Sequence, residues 1–324
     1  MQNIEMKKLL LFIKENNVIK AYESLFDKLF DFEQLFKLKN GDVAGIINSD
    51  MPAVKLYELL NNIKIDDNIT DYIYHLKDVN FKKYALRIAV SNSINNEDKF
   101  EYIRSVCHSK NINNARYTYS LIMNDSVRNN ENCKEYLDMV SKSNSEVSVQ
   151  IRDLLFENTF FENDKILDVC KIVSKADKEY IARYMIELYK NKVLSDEEIS
   201  LEDISVLLYS KGIKQASYTY ELLNDDEFIN RKDHVLIAFF IANANFDYQA
   251  YNGYMAMNNE DIKNKDDILT TIIDLVNAEK EYYSDTDINL KEVIKERDIN
   301  KLLDALNYIP NGAEINSDMK IKRK

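Results

Sequence analysis

Glycine and proline are scarce in this chain of 324 residues, and tryptophan is absent. Five glycines and two prolines, against 45% hydrophobic residues, favour helices joined by short polar connections over sheet or disorder. The glycines also exclude a phosphate-binding loop, because the one close pair, Gly41 and Gly45, is not followed by Lys-Ser or Lys-Thr. The sequence therefore predicts an all-α protein with essentially no strand, and nucleotide hydrolysis is not expected.

Cysteine and histidine are equally rare. The three cysteines are Cys107, Cys133 and Cys170, and the three histidines are His75, His108 and His234. An odd number of cysteines without CxxC spacing predicts reduced core residues in a cytoplasmic protein. The histidines form no HExxH motif or other ligand pair, and the neighbours Cys107 and His108 point about 100° apart on a helix. We therefore expect no catalytic residue, no metal site and no cofactor, and no enzymatic activity.

The charge balance and the apolar runs narrow the choice of partner. A formal net charge of −12 argues against direct nucleic-acid binding, which requires clustered positive charge. The apolar run at 9–13 is too short for a signal-peptide core or a membrane span. The expected location is cytoplasmic, the expected partner is a protein or peptide, and the oligomeric state is left open.

A repeated stretch gives the strongest indication of fold. The segment 115–121, Ala-Arg-Tyr-Thr-Tyr-Ser-Leu, returns as Ala-Ser-Tyr-Thr-Tyr-Glu-Leu 101 positions later, a separation of three periods of about 34 residues. A small residue recurs at the same period, at the end of each predicted second helix: Ser109, Ser143, Ala176, Ser210, Ala244 and Ala278. Each repeat is therefore predicted to contain a first helix, a polar turn and an amphipathic second helix.

The first helices align into columns. Two columns are predicted to be core: Ile88, Leu121, Leu154, Leu188, Leu222 and Ala256, and then Ala89, Ile122, Leu155, Tyr189, Leu223 and Met257. A third column holds small residues that let helices approach closely: Ala115, Ser148, Ala182, Ala216 and Ala250, with Lys82 as the exception. Asparagines in the turns are predicted to end helices in the left-handed conformation: Asn92, Asn124, Asn158, Asn191, Asn224 and Asn258.

The period sets the predicted organisation of the chain. Residues 1–49 are an N-terminal helical cap with a turn at 40–42, and 50–79 are a degenerate repeat that starts at Pro52. Six regular repeats occupy 80–278, a C-terminal helical cap occupies 279–309, and 310–324 are a basic tail predicted to be disordered.

A helix–turn–helix period of 33–34 residues resembles the tetratricopeptide class, and the small-residue column fits that comparison. The Trp, Gly and Pro positions of that family are missing, as is the Thr-Pro-Leu-His motif of ankyrin repeats, and HEAT units are usually longer. The chain is therefore described as a tetratricopeptide- or HEAT-like α-solenoid of about six to seven repeats with helical caps, of unassigned repeat type. The resemblance implies a binding scaffold.

Tyrosines provide the candidate binding residues. Two columns flank the apolar arc of the first helices: Tyr84, Tyr117, Tyr184 and Tyr218 on one shoulder, and Tyr119, Tyr220 and Tyr254 on the other. Tyrosine is favoured at interfaces, so the first column is the predicted partner-binding site; alternatively, the rings seal one repeat against the next.

Carboxylates suggest a second function. Acidic residues recur at the starts of the second helices, and acidic pairs such as Asp66-Asp67 and Asp225-Asp226 are interpreted as helix caps and not as cation or acid–base sites. The main hypothesis is a non-catalytic protein–protein interaction scaffold. The alternative is an acidic inhibitor that occupies the nucleic-acid-binding channel of another protein, as anti-defence proteins of mobile elements do.

Overall fold

The computed structural model describes residues 2–198, 200–264, 267–278, 283–284 and 287–288. Within these ranges the protein is helical, as its composition predicts, and the paired extended residues are limited to Tyr283–Ser284 (β1) and Asp287–Ile288 (β2). The chain divides into two compact units, Met1–Phe161 and Glu162–Lys324. The predicted basic tail, and the predicted C-terminal cap apart from β1 and β2, lie outside the described residues.

The first unit begins with the region predicted to be a cap and a degenerate repeat. Its helices are α1 (Gln2–Glu15), α2 (Val18–Phe26), α3 (Phe32–Leu35), α4 (Asn40–Ile47), α5 (Pro52–Asn61) and α6 (Asp67–His75). The helices α1, α2, α4 and α5 share a core that includes the fully buried Leu9, Ile46 and Leu56. Pro52 opens α5 at its first position, as predicted, because its missing N–H is not needed there.

Helix α4 corrects one sequence prediction, because the stretch 40–42 starts a helix and is not a turn. The Asp42 carboxylate accepts a hydrogen bond of 2.8 Å from the backbone N–H of Lys39, one of the N–H groups that a helix leaves without an internal partner. Asn-Gly-Asp was interpreted as a turn from its composition, but the capping bond of Asp42 stabilises a helix start.

The remaining helices belong to the predicted regular repeats. In the first unit they are α7 (Val79–Ala89), α8 (Asn96–Cys107), α9 (Ile112–Ile122), α10 (Asp125–Arg128), α11 (Cys133–Lys142), α12 (Ser145–Phe156) and α13 (Asn158–Phe161). In the second they are α14 (Ile166–Val173), α15 (Glu179–Leu194), α16 (Leu201–Val206, followed by a 3₁₀ turn at Leu207–Tyr209), α17 (Ile213–Leu223), α18 (Asp226–Ile229), α19 (His234–Ala242), α20 (Asp247–Met257), α21 (Glu260–Lys263) and α22 (Ile268–Val276).

Equivalent helices of successive repeats pack on each other. First helices pair as α7 with α9 and α9 with α12 in the first unit, and as α15 with α17 and α17 with α20 in the second. Second helices pair as α8 with α11, α14 with α16, α16 with α19 and α19 with α22. Helices packed against their neighbours in sequence are compatible with a helical repeat fold.

Burial follows the predicted columns. Every member of the two core columns is at most 6% exposed, the small-residue column from Ala115 to Ala250 is fully buried, and the six small residues that follow the second helices are all buried. Lys82, the exception in the small-residue column, is partly exposed and its Nζ donates to the carbonyl of Tyr74 at 3.1 Å.

The connections inside the repeats differ from the predicted turns, because one-turn helices occupy four of them: α10, α13, α18 and α21. Each places one apolar side chain in the core, in a column that the sequence prediction missed: Val127, Phe160, Phe228 and Ile262. The prediction that asparagines in these connections adopt the left-handed conformation is wrong. Asn224 and Asn258 have φ near −90°, and Asn124 caps α10 by accepting the N–H of Val127 at 3.1 Å. A following helical turn removes the need for a left-handed stop.

Hydrogen bonds recur with the repeat. The backbone N–H of Lys110 donates to the carbonyl of Ser141, and 101 positions later Lys211 donates to Ala242. A buried amide side chain also precedes the small residue of three first helices: Asn114, Gln215 and Gln249. Each donates to the carbonyl of the small residue after the next second helix: Ser143, Ala244 and Ala278, at 2.8, 3.4 and 2.9 Å. These bonds satisfy carbonyls that the ends of helices leave free.

Candidate functional site

The predicted tyrosine site lies along the first helices. The four tyrosines of the first column occupy the same position on α7, α9, α15 and α17, two residues after the small-residue column. Tyr84, Tyr184 and Tyr218 are partly buried, and Tyr117 is only 8% exposed. The four side chains belong to four different repeats, two in each unit.

Each tyrosine of the first column contacts the second-column residue of the next repeat. Tyr84 and Tyr119 have ring centroids 5.1 Å apart, Tyr184 and Tyr220 are also 5.1 Å apart, and Tyr218 and Tyr254 are 4.9 Å apart. The planes are inclined by 33°, 31° and 23°, so the first two ring pairs are tilted and the third is stacked. We call this set, together with Tyr117 and Arg152, the tyrosine ladder.

Arg152 completes the ladder where the second column lacks a tyrosine. Its guanidinium carbon lies 4.7 Å from the centroid of the Tyr117 ring, and that of Arg116 lies 5.1 Å from the same centroid. Both distances are within the range of a cation–π contact. The two guanidinium groups explain why Tyr117 is the most buried ring of its column.

Hydrogen bonds fix several ladder hydroxyls. Tyr254 donates its hydroxyl to Oε2 of Glu221 at 2.6 Å, and the Tyr220 hydroxyl accepts from Nδ2 of Asn191 at 3.1 Å. Burial, and then the bond to Glu221, raise the pKa of Tyr254 to about 12. Burial also raises the pKa of Tyr218. These hydroxyls therefore stay protonated at neutral pH and act as hydrogen-bond donors.

A contact between His234 and Asp203, which the sequence did not predict, joins two second helices. Nε2 of His234 on α19 lies 2.8 Å from Oδ1 of Asp203 on α16, while Nδ1 lies 2.6 Å from the carbonyl of Arg231. The bond to Asp203 raises the pKa of His234, against the opposing effect of partial burial. Asp203 and His234 are 31 positions apart, which is close to one repeat. The 34-residue period therefore places them on adjacent second helices.

The acidic pairs serve as caps where the structure describes them. Asp66 accepts the N–H of Asn68 at 2.9 Å at the start of α6, and Asp225 accepts that of Glu227 at 2.9 Å at the start of α18. Both bonds confirm the interpretation of these residues as helix caps. Among the described residues, no three His, Cys, Asp or Glu side chains converge as metal ligands.

Cys107 and a cavity beside α6 offer no obvious chemistry. Burial raises the pKa of the Cys107 thiol to about 12, which disfavours a reactive thiolate. A shallow cavity of about 730 Å³ lies between the start of α6 and α8. Its polar groups are already engaged, since Asp66 caps α6 and Nζ of Lys99 donates to the carbonyl of Ala89 at 2.9 Å.

Comparison of the chain with family models, with curated proteins and with solved structures finds no match. The resemblance to tetratricopeptide or HEAT repeats is therefore without support from a matched family. Within the part of the chain that the structure describes, every helix is too short or too polar to cross a bilayer.

Proposed function

We propose that the protein is a non-catalytic interaction scaffold, built as a tetratricopeptide- or HEAT-like solenoid, that binds a protein or peptide along the surface of the tyrosine ladder. The observation that carries the proposal is the repeated ring contact between partly buried tyrosines on neighbouring first helices, once in the first unit and twice in the second. Within each unit the ladder residues recur on equivalent helices, an arrangement suited to an extended partner.

The ring contacts support the proposal because they restrict the rotation of the tyrosine side chains before a partner binds. A free tyrosine loses rotational freedom when a partner immobilises it, whereas a ring already held by its neighbour loses less. The rings of Tyr184 and Tyr218 remain partly exposed although the rings of Tyr220 and Tyr254 pack against them. A tyrosine held in this way offers an apolar edge and a hydroxyl donor to a partner.

The ladder also stabilises the fold, so the test must separate stability from binding. We would capture partners with the purified chain, identify one, and measure its affinity with purified protein. Tyr184→Phe and Tyr218→Phe keep the stacked ring and remove the hydroxyl, while Tyr218→Ala removes both. Tyr74→Ala is the control, because Tyr74 is 43% exposed and lies outside the ladder.

We expect Tyr218→Ala to weaken partner binding by about 2 kcal/mol, and the phenylalanine variants to weaken it by about 1 kcal/mol each. Thermal unfolding of every variant identifies any loss of affinity that arises because the variant is unfolded. Unchanged affinity in folded Tyr218→Ala protein, with the same value as Tyr74→Ala, would show that the ladder only joins repeats.

A specific observation favours a second candidate, the acidic inhibitor. Glu97 and Glu131 occupy the same repeat position near the starts of successive second helices in the first unit, as do Asp164 and Glu198 in the second, and all four are exposed. A row of carboxylates at a constant period resembles the charge pattern of a nucleic-acid backbone. Glu97→Lys with Glu131→Lys would abolish such binding and leave ladder-dependent binding unchanged, so affinity measured on both sets of variants separates the two functions.

A further inference from the structure

The ladder surface of the first unit is basic, although the chain as a whole is acidic. Helices α7 and α9 together contain 22 residues without an aspartate or glutamate, but they carry Lys82, Lys83, Arg87 and Arg116. At the chain's average of 55 acidic residues in 324, 22 residues would include about four (55/324 × 22). The charge of these two helices is therefore opposite in sign to that of the chain.

Neighbouring carboxylates neutralise this surface only in part. Asp27 pairs with both Lys83, at 2.9 Å, and Arg87, so one carboxylate serves two cations. Nε of Arg152 donates to Oδ1 of Asp153 at 2.9 Å. Arg116 is exposed and forms no ion pair with a described carboxylate; its contacts are the ring of Tyr117 and, at 3.4 Å, the hydroxyl of the same residue.

The second unit provides the contrast. Arg183 occupies the position of Arg116 and lies over its own Tyr184 at 5.3 Å, but Glu187 is 3.9 Å away. In the next repeat Glu221 takes the position of Glu187 and accepts hydrogen bonds from Ser217 and Tyr254. The ladder of the second unit therefore supplies its own carboxylates, whereas Arg116 lacks one.

We propose that the basic ladder surface of the first unit, formed by Lys83, Arg87, Arg116 and Arg152, binds an acidic peptide segment of a partner protein, with Arg116 as the main contact. The proposal rests on the proposed scaffold function and adds the charge of the partner. A guanidinium group binds a carboxylate through two parallel hydrogen bonds, and Arg116 has its donors available for such a pair.

The ring geometry favours a peptide over a nucleic acid. Proteins that bind single-stranded nucleic acid stack bases on exposed aromatic faces. Here the ring of Tyr84 packs against that of Tyr119, and two guanidinium groups lie over Tyr117, so the ladder rings of this unit already have ring or cation partners. Side-chain carboxylates need no ring face and only require the guanidinium edge.

Fluorescence polarisation on the full chain tests the proposal. The labelled probes are a short peptide of Glu, Ser and Tyr, the same peptide with Gln for each Glu, the same peptide with Lys for each Glu, and an oligothymidine of similar length. The variants are Arg116→Glu and its matched control Arg183→Glu, which changes the same charge on an equivalent exposed arginine. Circular dichroism confirms that each variant is folded.

We expect the Glu peptide to bind at least tenfold more tightly than the Gln peptide, and its affinity to fall as salt rises. Arg116→Glu should weaken binding of the Glu peptide by about tenfold or more, and Arg183→Glu by less than about twofold. Equal effects of the two variants, equal binding of the Glu and Gln peptides, or no binding of the Glu peptide would overturn the proposal. Tighter binding of oligothymidine would overturn it in favour of a nucleic-acid surface.

The outcome can be separated from that of the scaffold proposal. A partner whose affinity depends on Tyr218 but is the same for Arg116→Glu and wild type would refute the acidic partner and leave the scaffold function intact. A partner whose affinity is unchanged by all the tyrosine variants would instead refute the ladder as the binding surface.

Discussion

Asn114 carries a concentrated set of hydrogen bonds in the first unit, and its replacement by alanine gives the sharpest test of the fold. The side chain is fully buried. Nδ2 lies 2.8 Å from the carbonyls of both Val140 and Ser143, while Oδ1 accepts from the hydroxyl of Ser145 at 3.0 Å. These contacts join α9 to the end of α11 and the start of α12.

The expected cost follows from the groups that lose a partner. Replacement by alanine removes the bonds of Asn114 to the carbonyls of Val140 and Ser143 and its bond from the hydroxyl of Ser145. An ordinary hydrogen bond contributes about 1 kcal/mol. Asn114→Ala should therefore lower the free energy of unfolding by about 3 kcal/mol. For a unit of this size the corresponding fall in Tm is about 6–12 °C.

Urea unfolding followed by circular dichroism measures the loss, and hydrogen exchange of α9, α11 and α12 locates it. Asn113→Ala is the control, because Asn113 is exposed and its change should stay within about 0.5 kcal/mol. Asn114→Gln should recover part of the stability, since Gln249 reaches the carbonyl of Ala278 at 2.9 Å from the equivalent position. If Asn114→Ala is as stable as Asn113→Ala, the hydrogen-bonded junction does not hold the repeats together.

Three further predictions concern the second unit. Ala216→Leu should destabilise by about 1–3 kcal/mol, measured by urea unfolding, because Ala216 is fully buried where first helices pack. Thr219→Val should be neutral or stabilise by about 1 kcal/mol in the same assay, since the buried Thr219 hydroxyl has no hydrogen-bond partner among the described residues. The raised pKa of His234, caused first by its bond to Asp203, means that protonated His234 stabilises the fold below its ordinary pKa of 6.5, and that this contribution is lost as pH rises through the folded-state value. The urea midpoint of the wild type should therefore fall relative to that of His234→Gln as pH rises above the ordinary value of 6.5, and parallel pH profiles would contradict the assignment.

The period of the sequence was enough to predict the buried columns, because burial on a helix depends mainly on position within the repeat. It did not identify the one-turn helices, although Val127 and Phe228 continue an apolar column at the repeat spacing. An asparagine in a turn predicts a left-handed helix end, but Asn124 caps the next helix instead. Local composition cannot choose between these two roles, since both use the same small polar side chain.

Less of the candidate site can be predicted from the sequence. The sequence shows the tyrosine columns, but the offset between neighbouring helices decides which residue each ring contacts. Arg152 lies in a tyrosine column and was not recognised as a substitute ring partner, although its guanidinium covers Tyr117. Asp203 and His234 were separated by most of one period, so their contact required the packing of α16 on α19.

In the ladder, each tyrosine of the first column contacts the second-column residue of the next repeat. This pattern has a consequence for how a gene that encodes such repeats can change in length. Loss of one period containing Tyr117 and Tyr119 by unequal recombination would bring Tyr84 opposite Arg152, a combination that Tyr117 already makes. The new junction would then be of a kind already present in the parent chain, a tyrosine ring against the guanidinium of Arg152. This copy of the repeat could thus be lost in a single recombination event without the simultaneous appearance of a matching ring partner.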